Sequence, residues 1–231
     1  MAVFKKNIWM LYLVIFPITL VLFSLYGYLK WESNRKDFAF QQKLQVELFY
    51  TSANSLFTSQ EALLEVVGHQ LVKQADFTRT ASIQIRPILD KLLDVHPAIA
   101  AFGLTNAQGE YISVTSNINL TDTQNLMSLE HTRTSFQETL KSKRMIIGRT
   151  YFQPSLEGYV IPIRKAIRMP GEGVKAVMTA GLKIDDIIAF QQDVHAGEYN
   201  DLSLVRTDHY RQFLSSDRES QLLYEKPIDA N

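Results

Sequence analysis

Ile99 to Asn117 reads IAAFGLTNAQGEYISVTSN, and Met145 to Asp186 reads MIIGRTYFQPSLEGYVIPIRKAIRMPGEGVKAVMTAGLKIDD. These two runs decide the fold. In the first, apolar segments flank Asn106-Ala107-Gln108-Gly109, and glycine there supplies the positive φ that a tight hairpin demands. Three further β-prone runs follow, around Ile146–Phe152, Tyr159–Ile167 and Val174–Ile184, parted by turns bearing Gly or Pro. Between the second and third runs, the polar stretch Ser128–Lys143 carries Phe136 and Leu140 at helical spacing. The pattern predicts an α+β fold: a five-stranded antiparallel sheet from Ala98 to Asp186, with one helix inserted after its second strand.

Working outward, Asp37 to about Gln74 holds no Pro, and only Gly68 interrupts a helix-favouring composition. Phe49, Ala53, Leu56, Leu63, Val67 and Leu71 form an amphipathic stripe, which Phe57 and Leu64 widen. Such a helix extends about 50 Å at about 1.5 Å per residue. It either packs as a spine on its own sheet or pairs with a copy of itself. A second helix is expected from Ala81 to about Val95, with Pro87 inside it and His96-Pro97 ending it.

At the N-terminus, Ile8 to Leu29 carries no charged residue over 22 positions. A run of about 20 apolar residues spans a bilayer core. Trp9, Tyr12, Tyr26, Tyr28 and Trp31 sit towards its ends as an aromatic belt does. It leaves through Tyr26–Trp31 without a small-x-small cleavage site, so it reads as an uncleaved anchor and not a signal peptide. Lys5 and Lys6 on one side balance Lys30, Arg35 and Lys36 on the other, so charge gives almost no orientation.

Composition excludes several classes. Formal net charge is zero, with 24 basic and 24 acidic side chains, so no basic field points to nucleic acid. There is no Cys, which removes disulfides, thiolate metal sites and a Cys nucleophile together. The five His are scattered without ligand-like spacing, so neither a metal nor a cofactor is expected. No P-loop, GxGxxG, HExxH or GxSxG occurs, and Asp185-Asp186 reads as a helix start, so this stretch carries no catalytic set.

Within the sheet, strict alternation puts Tyr111, Ser113 and Thr115 on one face, with Ile112 and Val114 on the other. Arg149 and Tyr151 stand two residues apart in the third strand, and Tyr159 and Arg164 lie in the fourth, where Pro162 argues for an irregular, pocket-bordering position. Lys183 ends the fifth strand. From Asp201 a new alternation begins, through Leu214 and again at Leu222–Glu225, with too few apolar residues to close a core of its own.

This order of elements, with "GLTNAQGEYI", "IGRTYFQP…GYVIPIRKAI" and "VKAVMTAGLKIDDI", resembles the Cache family of PAS-like extracytoplasmic sensor domains in bacterial receptors. The resemblance covers about residues 38–190. It implies residues 1–36 as tail and anchor, 37–190 as spine helix plus membrane-distal sensor domain, and 191–231 as the incomplete start of a membrane-proximal subdomain. It also implies the inner membrane as location, the sensor body in the periplasm, and a small-molecule pocket between the sheet and its covering loops. The amino-acid-sensing branch bears an Arg-x-Trp-Tyr pattern on the third strand and an Asp at the end of the fifth. Here Arg149-Thr150-Tyr151-Phe152 and Lys183 stand in those places. That departure points to an anion-selecting pocket lined by Arg149, Tyr151, Arg164 and Lys183, with Tyr111, Ser113 and Tyr159 as further candidates and a carboxylate among the possible ligands.

Two functions compete. One is the sensory module of a signalling protein, homodimeric through the long helix, with a diguanylate cyclase, a histidine kinase or a chemotaxis helix as output. The strand phrasing leans towards the cyclase. The other is a membrane-tethered scaffold whose long helix recruits a protein partner.

Overall fold

The computed structural model describes residues 2–74, 81–120, 123–184, 203–214, 224 and 226–228. The chain divides into two compact units, Met1–Leu48 and Phe49–Asn231. One helix, α1 (Ala2–Gln74), contributes to both. It runs through the expected boundary at residue 36 without a break, since Pro17 is its only proline. Among the described residues α1 is the one helix long and apolar enough to cross a membrane. In the first unit Trp9, Phe16, Phe23 and Trp31 are exposed, as a lipid-facing segment requires.

In the second unit, α1 is followed by α2 (Ala81–Asp94), β1 (Ile99–Thr105), β2 (Tyr111–Val114), α3 (Glu130–Lys141), β3 (Ile146–Ile147), β4 (Tyr151–Gln153), β5 (Gly158–Met169) and β6 (Gly173–Lys183). All strand pairings are antiparallel, in the order β2-β1-β6-β5-β3, with β4 also on β5. The expected five-stranded sheet is present, its third strand divided in two. A separate hairpin, β7 (Ser203–Val205) and β8 (Arg211–Leu214), occupies the region where a further sheet was expected. The expected closing helix at 185–192 and most of 222–225 lie outside the described residues.

Local chemistry explains the geometry. Asn106 Oδ1 accepts from the N–H groups of Gln108 (3.0 Å) and Glu110 (2.9 Å), while Gly109 takes φ 84°, so the hairpin turn forms as its sequence requires. A β-bulge between Leu104 and Thr105 breaks the alternation expected for β2. Ser113 pairs with Leu104 and Tyr111 with Thr105, so Ser113 and Tyr111 face opposite ways; the expectation that they share a face is corrected. Pro162 sits opposite the gap between β3 and β4. Its carbonyl accepts from Gly148 N–H at 2.7 Å, so its missing donor faces the side where the strand is broken.

The sheet has two unlike faces. On one, Leu64 and Leu71 of α1 with Ile85 and Leu89 of α2 bury against Phe102, Leu104, Ile163, Ile167 and Met178. Gly68 lets α1 approach closely: a Cβ there falls 2.6 Å from Ile167 Cγ1. The other face packs a smaller cluster, Leu126, Phe136 and Val177, beneath α3. Beside it lies a hollow.

Candidate functional site

The hollow is a cavity of about 690 Å³. Its floor is the sheet, through Ala101 and Gly103 of β1, Val160 and Pro162 of β5, and Thr179 and Gly181 of β6. Its cover carries Ile118, Thr123, Gln124, Leu126, Leu129 and Thr132, and its wall is Tyr151 to Leu156. The floor is low where glycine lies beneath an aromatic: a Cβ on Gly103 meets Tyr111 Cε1 at 2.8 Å and Thr179 Cγ2 at 3.1 Å.

Of the seven candidate residues, Tyr111 and Tyr151 line the cavity. Burial raises the pKa of both phenols, against an opposing pull from the Arg164 charge, so both keep their O–H at neutral pH. Arg164 lies behind them, 1% exposed, on the same face of β5 as Val160 and Pro162. Its Nη1 donates to Ser135 Oγ at 2.7 Å, and its Nε has no acceptor among the described residues. A Cβ on Gly148 would fall 2.8 Å from Nη1, so the guanidinium is fitted against bare backbone. Burial pulls its pKa down, with the two phenols acting in the opposite sense.

The other four candidates are engaged elsewhere. Ser113 is buried and donates to Ser82 carbonyl at 3.4 Å. Tyr159 packs in the helix-side core, its ring 5.3 Å from Phe152 and 5.1 Å from Tyr224. Lys183 is exposed at the end of β6 and donates to Pro97 carbonyl at 2.7 Å. Arg149 pairs with Asp208 at 3.2 Å and lies 3.6 Å over the ring of Tyr210, because the break at Gly148–Thr150 turns it away from Tyr151 and onto the β7–β8 hairpin. Gln212 secures that break: its Nε2 donates to Gly148 carbonyl (2.7 Å), and its carbonyl and Oε1 accept from Thr150 Oγ1 (2.8 and 2.9 Å).

Sequence reasoning missed His131, whose ring stands 4.8 Å from that of Tyr151 at the cavity. Burial, then the nearby Arg164 charge, lowers its pKa, so it is neutral at pH 7. It also missed Ser135 as the partner of Arg164. Neither stands in a motif; each reaches the site only because α3 lies over β5. Among the described residues no cluster of three or more His, Asp or Glu is placed to hold a metal.

The fold recurs in solved structures. The ligand-binding domain of the Campylobacter jejuni chemoreceptor Tlp3, in complex with L-valine, superposes with a TM-score of 0.57 at 16% identity, over 81% of this chain and 75% of that one. The ligand-binding domain of the Pseudomonas fluorescens chemoreceptor CtaA, in complex with L-serine, gives 0.56 at 15% identity, over 78% and 72%. The sensor domain of the V. cholerae histidine kinase DctB gives 0.51 at 9% identity, over 76% and 66%. No family model and no curated protein matches the chain. The fold is thus the one that these chemoreceptor ligand-binding domains and this histidine-kinase sensor domain share.

Proposed function

We propose that this chain is the extracytoplasmic ligand-sensing module of a membrane-bound signalling protein. The cavity on the α3 side of the sheet takes a small molecule, and its occupancy is relayed along α1 to a cytoplasmic output. The observation that carries this reading is the hollow itself. One face of the sheet is packed solid while the other keeps about 690 Å³ open beneath a cover, within the size range of small-molecule sites. The shared fold with domains crystallised with L-valine and L-serine supports it. The apolar start of α1 supports a membrane anchor, the likeness to chemoreceptor ligand-binding domains supports a sensor body in the periplasm, and the length of α1 supports a homodimer through that helix. A diguanylate cyclase is the output that the strand phrasing favours, and the arginine beneath the tyrosines favours an anionic ligand.

The test is thermal denaturation of the full chain in lipid nanodiscs against a panel of amino acids, organic acids, amines and sugars. A saturable rise in Tm with one class, lost in Gly103→Leu, supports the reading. A chain indifferent to the whole panel refutes it.

A further inference from the structure

α3 lends the cavity His131 and Thr132, and it holds the sheet mainly through polar contacts. Its buried residues are Thr132, Ser135, Phe136 and Thr139, so Phe136 is the one buried apolar side chain it brings. The three hydroxyls donate within the helix or to the Leu126 carbonyl just before it. What fastens α3 to the sheet is β5. Arg164 Nη1 donates to Ser135 Oγ, Arg168 Nη2 to the Leu140 carbonyl and Lys165 Nζ to the Lys143 carbonyl, each at 2.7 Å. A helix held by point contacts, with little apolar area buried, shifts at lower cost than one seated in a close-packed core.

The turn 142–145 carries the chain from α3 to the edge strand β3, and there it meets α1. Glu61 Oε1 accepts from Met145 N–H at 2.9 Å and from Lys165 Nζ at 2.7 Å, while Arg144 Nε stands 3.5 Å from Oε2. Arg144 is largely exposed and adds little, so the clamp consists of a backbone N–H and a buried ammonium. That same ammonium holds the Lys143 carbonyl and also reaches Glu65 at 3.1 Å. One carboxylate of α1 thus grips the turn that leaves the cavity's own helix, around the edge of the sheet and not through it. Such contacts are directional: a shift of about 1 Å takes a hydrogen bond out of range.

We propose that Glu61 is the residue through which occupancy of the cavity reaches α1. An occupant displaces α3, the 142–145 turn moves with it, and the carboxylate hands that movement to the long helix. Glu61 lies outside the cavity lining, so it is a positioning residue that acts through α3. The inference rests on the sensor reading above for its input and adds the point at which the signal crosses to α1.

The experiment is hydrogen–deuterium exchange, read by mass spectrometry on the full chain in lipid nanodiscs. The probe is a tethered occupant, Ala101→Phe, which sets a ring into the cavity from its floor. Exchange is expected to change about threefold or more both in α3 and in residues 57–65 of α1. In Glu61→Ala the α3 response to the ring stays and the α1 response is lost; in Glu61→Gln, which keeps an acceptor without the charge, the α1 response shrinks. Val67→Ala loosens the same helix away from the clamp and keeps both responses, as a merely structural Glu61 would. Should Ala101→Phe not fold, Thr179→Leu on β6 supplies the occupant. An α1 response that survives Glu61→Ala, or that Val67→Ala also abolishes, overturns the proposal. So does an α3 response with none in α1, or no response in either helix. A chain that shows the coupling but binds nothing in the thermal panel keeps the clamp and loses the sensor reading; one that binds a compound without the coupling does the reverse.

Discussion

The two faces of the central sheet share their strands and differ in nearly everything else. Towards α1 the apolar side chains are closed, with Leu64, Leu71, Ile167 and Met178 buried, and Gly68 brings the helix within contact of the strands. The charge that faces this way, Lys165, has two carboxylate partners and the carbonyl of Lys143 at 2.7 Å. Towards α3 there is a cavity, and the charge on that side, Arg164, pairs with no carboxylate among the described residues. Close packing with paired charge is how a chain makes a support; open space beside an unpaired charge is how it makes a site.

The sharpest way to break this contrast is to cut into the closed face. Leu64→Ala, at a fully buried position, is expected to lose about 2–5 kcal/mol in urea denaturation, because the surrounding core only partly collapses. Leu156→Ala, on the cavity wall, should lose well under half as much; equal losses would mean that the two faces are packed alike. Next in size is Lys165→Ala. Removing one partner of a buried pair typically costs about 3–5 kcal/mol. Glu61 and Glu65 retain some exposure, and solvent absorbs part of that, so about 1–3 kcal/mol is expected.

A pH titration of stability sharpens the same point. Burial pushes the Glu61 pKa up, but the Lys165 hydrogen bond, the Met145 N–H and the charges of Lys165 and Arg144 outweigh it, leaving the carboxyl below its ordinary 4.5. A depressed carboxylate stabilises the fold fully above its unfolded pKa and loses that contribution as pH falls through the folded one. Stability measured by denaturant midpoint should therefore fall below about pH 4.5, and Glu61→Gln should flatten that acid limb. The smallest expected effect is that of Arg149→Ala. Its partly exposed pairing with Asp208 and its contact with Tyr210 are together worth about 1 kcal/mol. Titration with any carboxylate that the cavity binds should give an unchanged affinity; a large loss would return Arg149 to the site.

Much of the support was legible in the sequence, and for physical reasons. Asn106 and Gly109 carry the turn in their own chemistry, and the stripe from Phe49 to Leu71 needs only helical periodicity. Pro162 marked the strand that borders the cavity because a missing N–H cannot sit in an intact ladder. The site was legible only in part. Alternation places Arg164 and Lys165 on opposite faces of β5, yet nothing local says which face is hollow. The bulge at Leu104–Thr105 separates Ser113 from Tyr111, and the break at Gly148–Thr150 sends Arg149 to the hairpin while Tyr151 enters the cavity. The second irregularity is held by a partner distant in sequence, Gln212.

The adjacency of Arg164 and Lys165 has a mechanical consequence. Neighbouring Cα atoms are about 3.8 Å apart across a planar peptide, so the two cations hang from one stiff plate. That one peptide therefore ties the lining side of the sheet to the grip of the ammonium on Glu61 and Glu65, on the side where α1 lies.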